Sequence, residues 1–106
     1  MELPRVSVRS EGDGVCVVVC SGEFDLDTSG ALAAACDGEA AAAELLVLDV
    51  SQVVFADSSF LNLLLRLRHT RPVVLAGPLP VQLRRLLEMT GAAALFEVRG
   101  DTGQDR

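Results

Sequence analysis

Short β-branched runs alternate along the chain with segments whose apolar residues recur at helical spacing. Val6 and Val8 alternate with Ser7 and Arg9, Gly12-Asp13-Gly14 supplies a turn, and Val15 to Cys20 is an unbroken apolar run. This reads as two strands around a turn, the second without polar alternation and therefore expected to be central and buried on both faces. "EFDLDTSG" reads as a polar loop, with Asp27 or Thr28 as N-cap of an Ala-rich helix over "SGALAAACDG". After a weakly specified "GEAAAAE", residues 45–50 ("LLVLDV") form a second buried strand.

The stretch "VVFADSSFLNLLLRL" changes character in its middle, from β-branched residues through Asp57-Ser58-Ser59 to a helix expected to reach about His69. Phe60, Leu63, Leu64 and Leu67 recur at i, i+3, i+4 and i+7, which makes one core-facing stripe. Leu61 and Leu65 form a second apolar line about 100° round the helix. They are either covered by a neighbouring helix or part of a partner surface.

"RPVVLAG" reads as a strand, and "PLPVQLRRLLEMTG" as an amphipathic helix capped by Gly91. Leu79, Leu83, Leu86, Leu87 and Thr90 share one face of that helix, and Gln82, Arg85 and Glu88 lie elsewhere. "ALFEV" is a last strand, and residues 100–106 read as a frayed tail. The order ββαβαβαβ predicts a single α/β domain over residues 1–106. Its sheet is mixed, with four to five strands packed against helices. No internal repeat or linker interrupts it.

Composition narrows the function. Half of the 106 residues are apolar, enough for one core, and with four Phe and no Trp or Tyr that core rests on Val, Leu and Ala. The net charge is −6, and every basic residue other than the one His is Arg. An acidic chain with no basic stripe has no electrostatic footprint for nucleic acid, so any effect on transcription is expected to run through another protein. Residues 1–10 contain no apolar signal-peptide core, and no run reaches the ~20 residues needed to span a bilayer, so the expectation is a soluble, cytoplasmic protein with no membrane contact.

Cys16 and Cys20 lie about 13 Å apart at strand rise, too far for a disulfide, and no C-x-x-C pair exists. Buried reduced thiols are expected, in keeping with a reducing cytosol.

Two readings of Asp57-Ser58-Ser59 compete. A Ser at a helix N-terminus is commonly a cap, worth about 1 kcal/mol. Nucleophilic catalysis fails on reach: His69 is the one imidazole and lies about 16 Å from Ser58 along a helix. There is no G-x-S-x-G elbow, and with no Lys there is no common phosphate-binding loop. Asp25, Asp27, Asp49 and Asp57 would form a cation site only if they met at one sheet edge, which their spacing does not require. No cofactor and no metal is expected.

Three linked segments carry a resemblance: "VVVCSGEFDLDTSGAL", "LLVLDVSQVVFADSSFLNLLLRL" and "VVLAGPLPVQLRRLLEMTGAAALFEV". Together, over residues 4–99, they resemble the STAS domain, and within that family the bacterial anti-sigma factor antagonists. The family's "GELD"-like turn corresponds to Gly22-Glu23-Phe24-Asp25, its "LDLS"-like strand end to Leu48-Asp49-Val50-Ser51, and its phosphorylatable motif to Asp57-Ser58-Ser59.

The resemblance implies a partner switch. The unphosphorylated form binds an anti-sigma factor that is itself a serine kinase, and so frees a sigma factor. Phosphorylation of Ser58 ends the binding, and a PPM-type phosphatase reverses it. The chain would be substrate in both reactions and catalyst in neither. Asp25, Asp57, Ser59, Phe60 and Leu61 are the expected partner-binding residues, with Asp57 placing the Ser58 hydroxyl. For Asp25 a plain turn role stands beside the binding one.

Where the family usually has Gly after the hydroxyl pair and a small residue two positions on, this chain has Phe60 and Asn62. Phe60 then turns inward, or confers partner specificity, or marks a kinase site that has decayed. Two other readings remain: a STAS binding subunit of a lipid-transport ABC system or sensory scaffold that is not phosphorylated, and a ligand-binding or enzymatic α/β domain.

Overall fold

A computed structural model describes residues 3–26, 28–38 and 40–100. The chain forms β1 (Arg5–Gly12), β2 (Val15–Phe24), α1 (Gly30–Asp37), β3 (Leu45–Ala56), α2 (Ser58–Thr70), β4 (Val73–Ala76) and α3 (Val81–Met89). A 3₁₀ turn (Ala92–Leu95) and β5 (Glu97–Arg99) follow. The five strands lie in the order β1-β2-β3-β4-β5, with β1 antiparallel to β2 and the later neighbours parallel. This is the expected mixed α/β sheet in the order ββαβαβαβ. The expected "ALFEV" strand is shifted: its first two residues close the 3₁₀ turn, and pairing with β4 begins at Glu97.

One contiguous core joins a single face of the sheet to the helices. Val18, Cys20 and Phe24 of β2, Leu46, Leu48 and Val50 of β3, and Leu75 of β4 are fully buried there against Leu32, Cys36, Phe60, Leu64, Leu83 and Leu87. Among the described residues no helix packs on the other sheet face. Burial along β2 therefore alternates: Val15, Val17 and Val19 are half-buried while Cys16, Val18 and Cys20 are buried. This corrects the expectation of a strand buried on both faces. A valine run satisfies the β propensity of a strand whether one face or two is covered.

The second line of α2 is covered by the domain itself, since Leu61 is buried and Leu65 half-buried against the same core. On α3, Leu83 and Leu87 are buried and Leu86 is half-buried, as is Leu79 just before the helix. Thr90 does not join them. It is exposed, and its hydroxyl donates to the Leu86 carbonyl at 2.8 Å, closing the last helical turn before Gly91 at φ 80°.

The three thiols are free and buried. Burial pushes Cys20 up to about 12, with Cys36 and Asp49 adding to the rise, so it remains a thiol at neutral pH.

Both central strands run further than their sequences indicate. β2 continues through Glu23 and Phe24, and β3 through Ala56. The extension of β3 contains two register shifts against β2, one between the pairs Val19–Asp49 and Ser21–Gln52, the other between Gly22–Val53 and Glu23–Phe55. At the first, the Asp49 carboxylate accepts from the Ser51 amide at 3.0 Å and the Ser51 hydroxyl at 2.7 Å. A carboxylate thus supplies a partner at the irregularity. The second shift turns the consecutive residues Val54 and Phe55 outward, 54% and 41% exposed.

Gly22, inside β2, is a position that needs glycine. Its φ is +93°, and a Cβ there would stand 2.2 Å from the Leu3 carbonyl oxygen. Gly22→Ala is expected to cost roughly 2–3 kcal/mol, strain and clash together, read as a lowered urea midpoint at unchanged m-value.

Candidate functional site

The site lies where the ends of β2 and β3 meet the N-terminus of α2. Ala56 closes β3 opposite Phe24, and the Asp57 amide donates to the Phe24 carbonyl at 3.3 Å. Asp57 is extended (φ −118°, ψ −167°) and is the N-cap of α2. Its Oδ1 accepts from the Ser59 amide at 2.9 Å and the Ser59 hydroxyl at 2.6 Å. The cap is therefore the carboxylate, and neither serine. Ser58 is the first helical residue and is exposed, while Ser59 is half-buried. The two adjacent hydroxyls have different tasks: that of Ser59 is tied to the cap, and that of Ser58 is presented to solvent.

The Asp57 carboxyl has opposed influences. Partial burial pushes it up, but hydrogen bonds from the Ser59 hydroxyl and from the amides of Ser59, Phe60 and Leu26 outweigh this and hold it below the ordinary carboxylate value. A depressed folded-state value means that its stabilising contribution is present above the unfolded value of about 3.9. That contribution is lost as pH falls through the folded-state value. Asp57→Ala is expected to cost about 1 kcal/mol at pH 7, measured by urea unfolding. The gap from the parent should narrow below about pH 4.

The Leu26 amide brings the Asp25 turn against this cap. Asp25 organises that turn: its Oδ1 accepts from the Thr28 amide at 3.0 Å and the Thr28 hydroxyl at 2.9 Å, and its carbonyl accepts from the Ser29 amide at 2.9 Å. The same Thr28 hydroxyl approaches the Glu23 carbonyl at 3.0 Å and accepts from the Asp25 amide at 2.9 Å. Thr28 is consumed here, so it is not the cap of α1. That position is Ser29, without a side-chain cap bond, and Asp27 lies outside the described residues.

The turn role of Asp25 is therefore real, and it holds Leu26 out at 81% exposure. Leu26, with Ser29, Ala33, Ser59, Asn62 and Arg66, lines a groove of about 370 Å³ between α1 and α2.

Phe60 and Leu61 are not at this surface. Phe60 is fully buried, its ring 5.2 Å from that of Phe24 and tilted by 44°, and Leu61 is buried beside the core stripe. Of the alternatives for Phe60, the inward one holds. The expectation that these two side chains touch a partner gives way to their anchoring the first turn of α2 from below. The exposed apolar residues near Ser58 are instead Leu26, Val54 and Phe55. Sequence reasoning missed them because the second bulge in β3 cannot be seen in "QVVFA". An apolar residue inside the otherwise polar "EFDLDTSG" was the one available signal for Leu26.

His69 stands at the opposite end of α2 from Ser58. Among the described residues no three His, Cys, Asp or Glu side chains converge as a metal site. Asp25, Asp49 and Asp57 are each engaged by a hydroxyl of their own segment. No helix of the described residues is long and apolar enough to cross a membrane.

Residues 7–97 match the family described as Mlab, STAS domain. The chain belongs to the STAS domain family. Among solved structures, an anti-sigma factor antagonist from Mycobacterium paratuberculosis is similar at 28% identity and a TM-score of 0.80, over 92% of this chain and 86% of that one. SpoIIAA in its unphosphorylated form is similar at 17% identity and a TM-score of 0.71, covering 92% and 90%. The phosphorylated Bacillus cell fate determinant SpoIIAA gives 14% and 0.65, covering 92% and 93%. The two SpoIIAA structures share the fold with this STAS domain. No curated protein matches it in sequence.

Proposed function

We propose that this STAS domain is an anti-sigma factor antagonist. Its unphosphorylated form binds a serine-kinase anti-sigma factor and releases a sigma factor, and phosphorylation of Ser58 switches it off. The observation that carries the reading is the division of labour at the cap: Asp57 and Ser59 complete the helix N-terminus, which leaves Ser58 exposed with no structural duty. The similarity to a mycobacterial anti-sigma factor antagonist supports it.

A phosphate on Ser58 adds about −1.5 to −2 charges at pH 7. The amides that would welcome an anion at this helix end, those of Ser59 and Phe60, already serve Asp57. The new charge therefore projects outward beside an existing carboxylate, and a partner covering it must desolvate both. Complete switching from 99:1 to 1:99 requires the two forms to differ by ~5.5 kcal/mol in partner affinity. Burial of an unpaired double charge is of that order. The partner surface would comprise Ser58, Asp57 and Ser59, the Asp25 turn with Leu26, and the outward pair Val54 and Phe55, with Phe60 and Leu61 bracing it. A PPM-type phosphatase would restore the binding form.

One finding favours a second reading, a STAS binding subunit of a lipid-transport ABC system that is not phosphorylated: the matching family is described as Mlab, STAS domain. Affinity purification from native cells separates the two. Recovery of a kinase-type anti-sigma factor, lost when a phosphatase inhibitor is included, is the expected result. Recovery of an ABC ATPase in its place would favour the second reading.

A further inference from the structure

We propose that Gln82 is a positioning residue for Ser58, an inference that rests on Ser58 being the phosphorylated residue. β4 ends at Ala76, which pairs with Asp49, so among the described residues no strand lies beside the seven residues of β3 from Val50 to Ala56 on that edge. Adjacent main-chain groups of a parallel strand point to the same edge, and at Ala56 both would be left open there. Gln82 closes them. Its Oε1 accepts from the Ala56 amide at 2.9 Å and its Nε2 donates to the Ala56 carbonyl at 2.7 Å.

One carboxamide thus closes both groups of a single residue, since one of its N–H donors lies on the same side as its carbonyl oxygen. On the opposite side Ala56 is paired with Phe24, so the last residue of β3 is held from both edges. Ala56 is two residues from Ser58, with the capping Asp57 between. A rigid bond at Ala56 fixes where the cap, and hence the Ser58 hydroxyl, is presented. A kinase needs that hydroxyl in line with the transferred phosphoryl group, and catalysis of phosphoryl transfer is dominated by such placement.

The test is phosphorylation of purified full-length protein by a serine-kinase anti-sigma factor from the same genome with ATP, at a temperature where every variant is folded. Gln82→Leu removes both bonds at similar size. Gln82→Glu, ionised at pH 7, keeps an acceptor for the Ala56 amide but has no donor for its carbonyl. Both are expected to lower kcat about tenfold with KM within twofold. In Gln82→Leu the Ala56 amide should exchange with solvent at least about tenfold faster. Leu87→Val, which perturbs the same helix in the core without touching Ala56, should leave kcat within twofold. If both Gln82 variants match the parent in kcat, or if Leu87→Val lowers it equally, the positioning role is overturned and the phosphorylation reading stands. A parent that is never phosphorylated overturns the phosphorylation reading, and with it any role of Gln82 in presenting Ser58 to a kinase.

Discussion

Ser58→Asp is expected to fold like the parent and to bind its anti-sigma partner at least about 100-fold more weakly. The residue is exposed and first in α2, so a carboxylate there sits at the favourable end of the helix dipole, although beside Asp57. Exposed substitutions of this kind stay within about 0.5 kcal/mol, or roughly 2 °C in Tm for a domain of this size. The effect falls on binding because a partner that covers Ser58 must bury a new charge with no cation to meet it. Ser58→Ala separates charge from size: it should keep binding within about threefold and become insensitive to the kinase. Equal affinity of Ser58→Asp and parent in a titration, with both folded by circular dichroism, would exclude a charge switch.

Phe60→Ala is expected to act on stability, by about 3–5 kcal/mol. The ring is fully buried, stacked in a tilted pair with Phe24, and begins the stripe continued by Leu63, Leu64 and Leu67. A domain of about a hundred residues has a total stability of roughly 5–15 kcal/mol, so the variant should have a clearly lower urea midpoint at an unchanged m-value. Phe60→Gly, which restores the residue usual in the family, should cost about a further 1 kcal/mol through helix propensity. A loss below about 1 kcal/mol would show that the ring is not part of the core. The ring at this position packs inward against Phe24, while Ser58 is exposed.

Much of the fold was legible because its signals are local. The turn at Gly12-Asp13-Gly14, the valine run of β2, the leucine stripe of α2 and Gly91 after α3 each specify their element from a few residues. What was not legible depends on register between distant segments. Nothing in "SQVVFA" shows that β3 carries two bulges, that the second turns Phe55 outward, or that Asp49 supplies a hydrogen-bond partner at the first. Gln82 was placed off the apolar face of α3, correctly, but its bond to Ala56 spans 26 positions and has no sequence signature.

The site was legible as a motif and misread in its parts. Asp57-Ser58-Ser59 is where the geometry converges; a serine cap is one of the two readings its sequence allows, and the cap is the Asp57 carboxylate. Thr28, offered as a helix cap, instead locks the Asp25 turn. For Phe60 and Leu61 the helical spacing offers a core position and the family resemblance a partner contact, and both side chains are buried.

The central claim is that Ser58 is a switch, and phosphosite mapping by mass spectrometry on the protein from its native cells tests it most directly, before and after treatment with a PPM-type phosphatase. Phosphate on Ser58, absent from Ser59 and removed by the phosphatase, is the predicted result. A Ser58 that stays bare across growth and stress conditions would contradict it, and would leave a STAS domain that binds its partner without being phosphorylated.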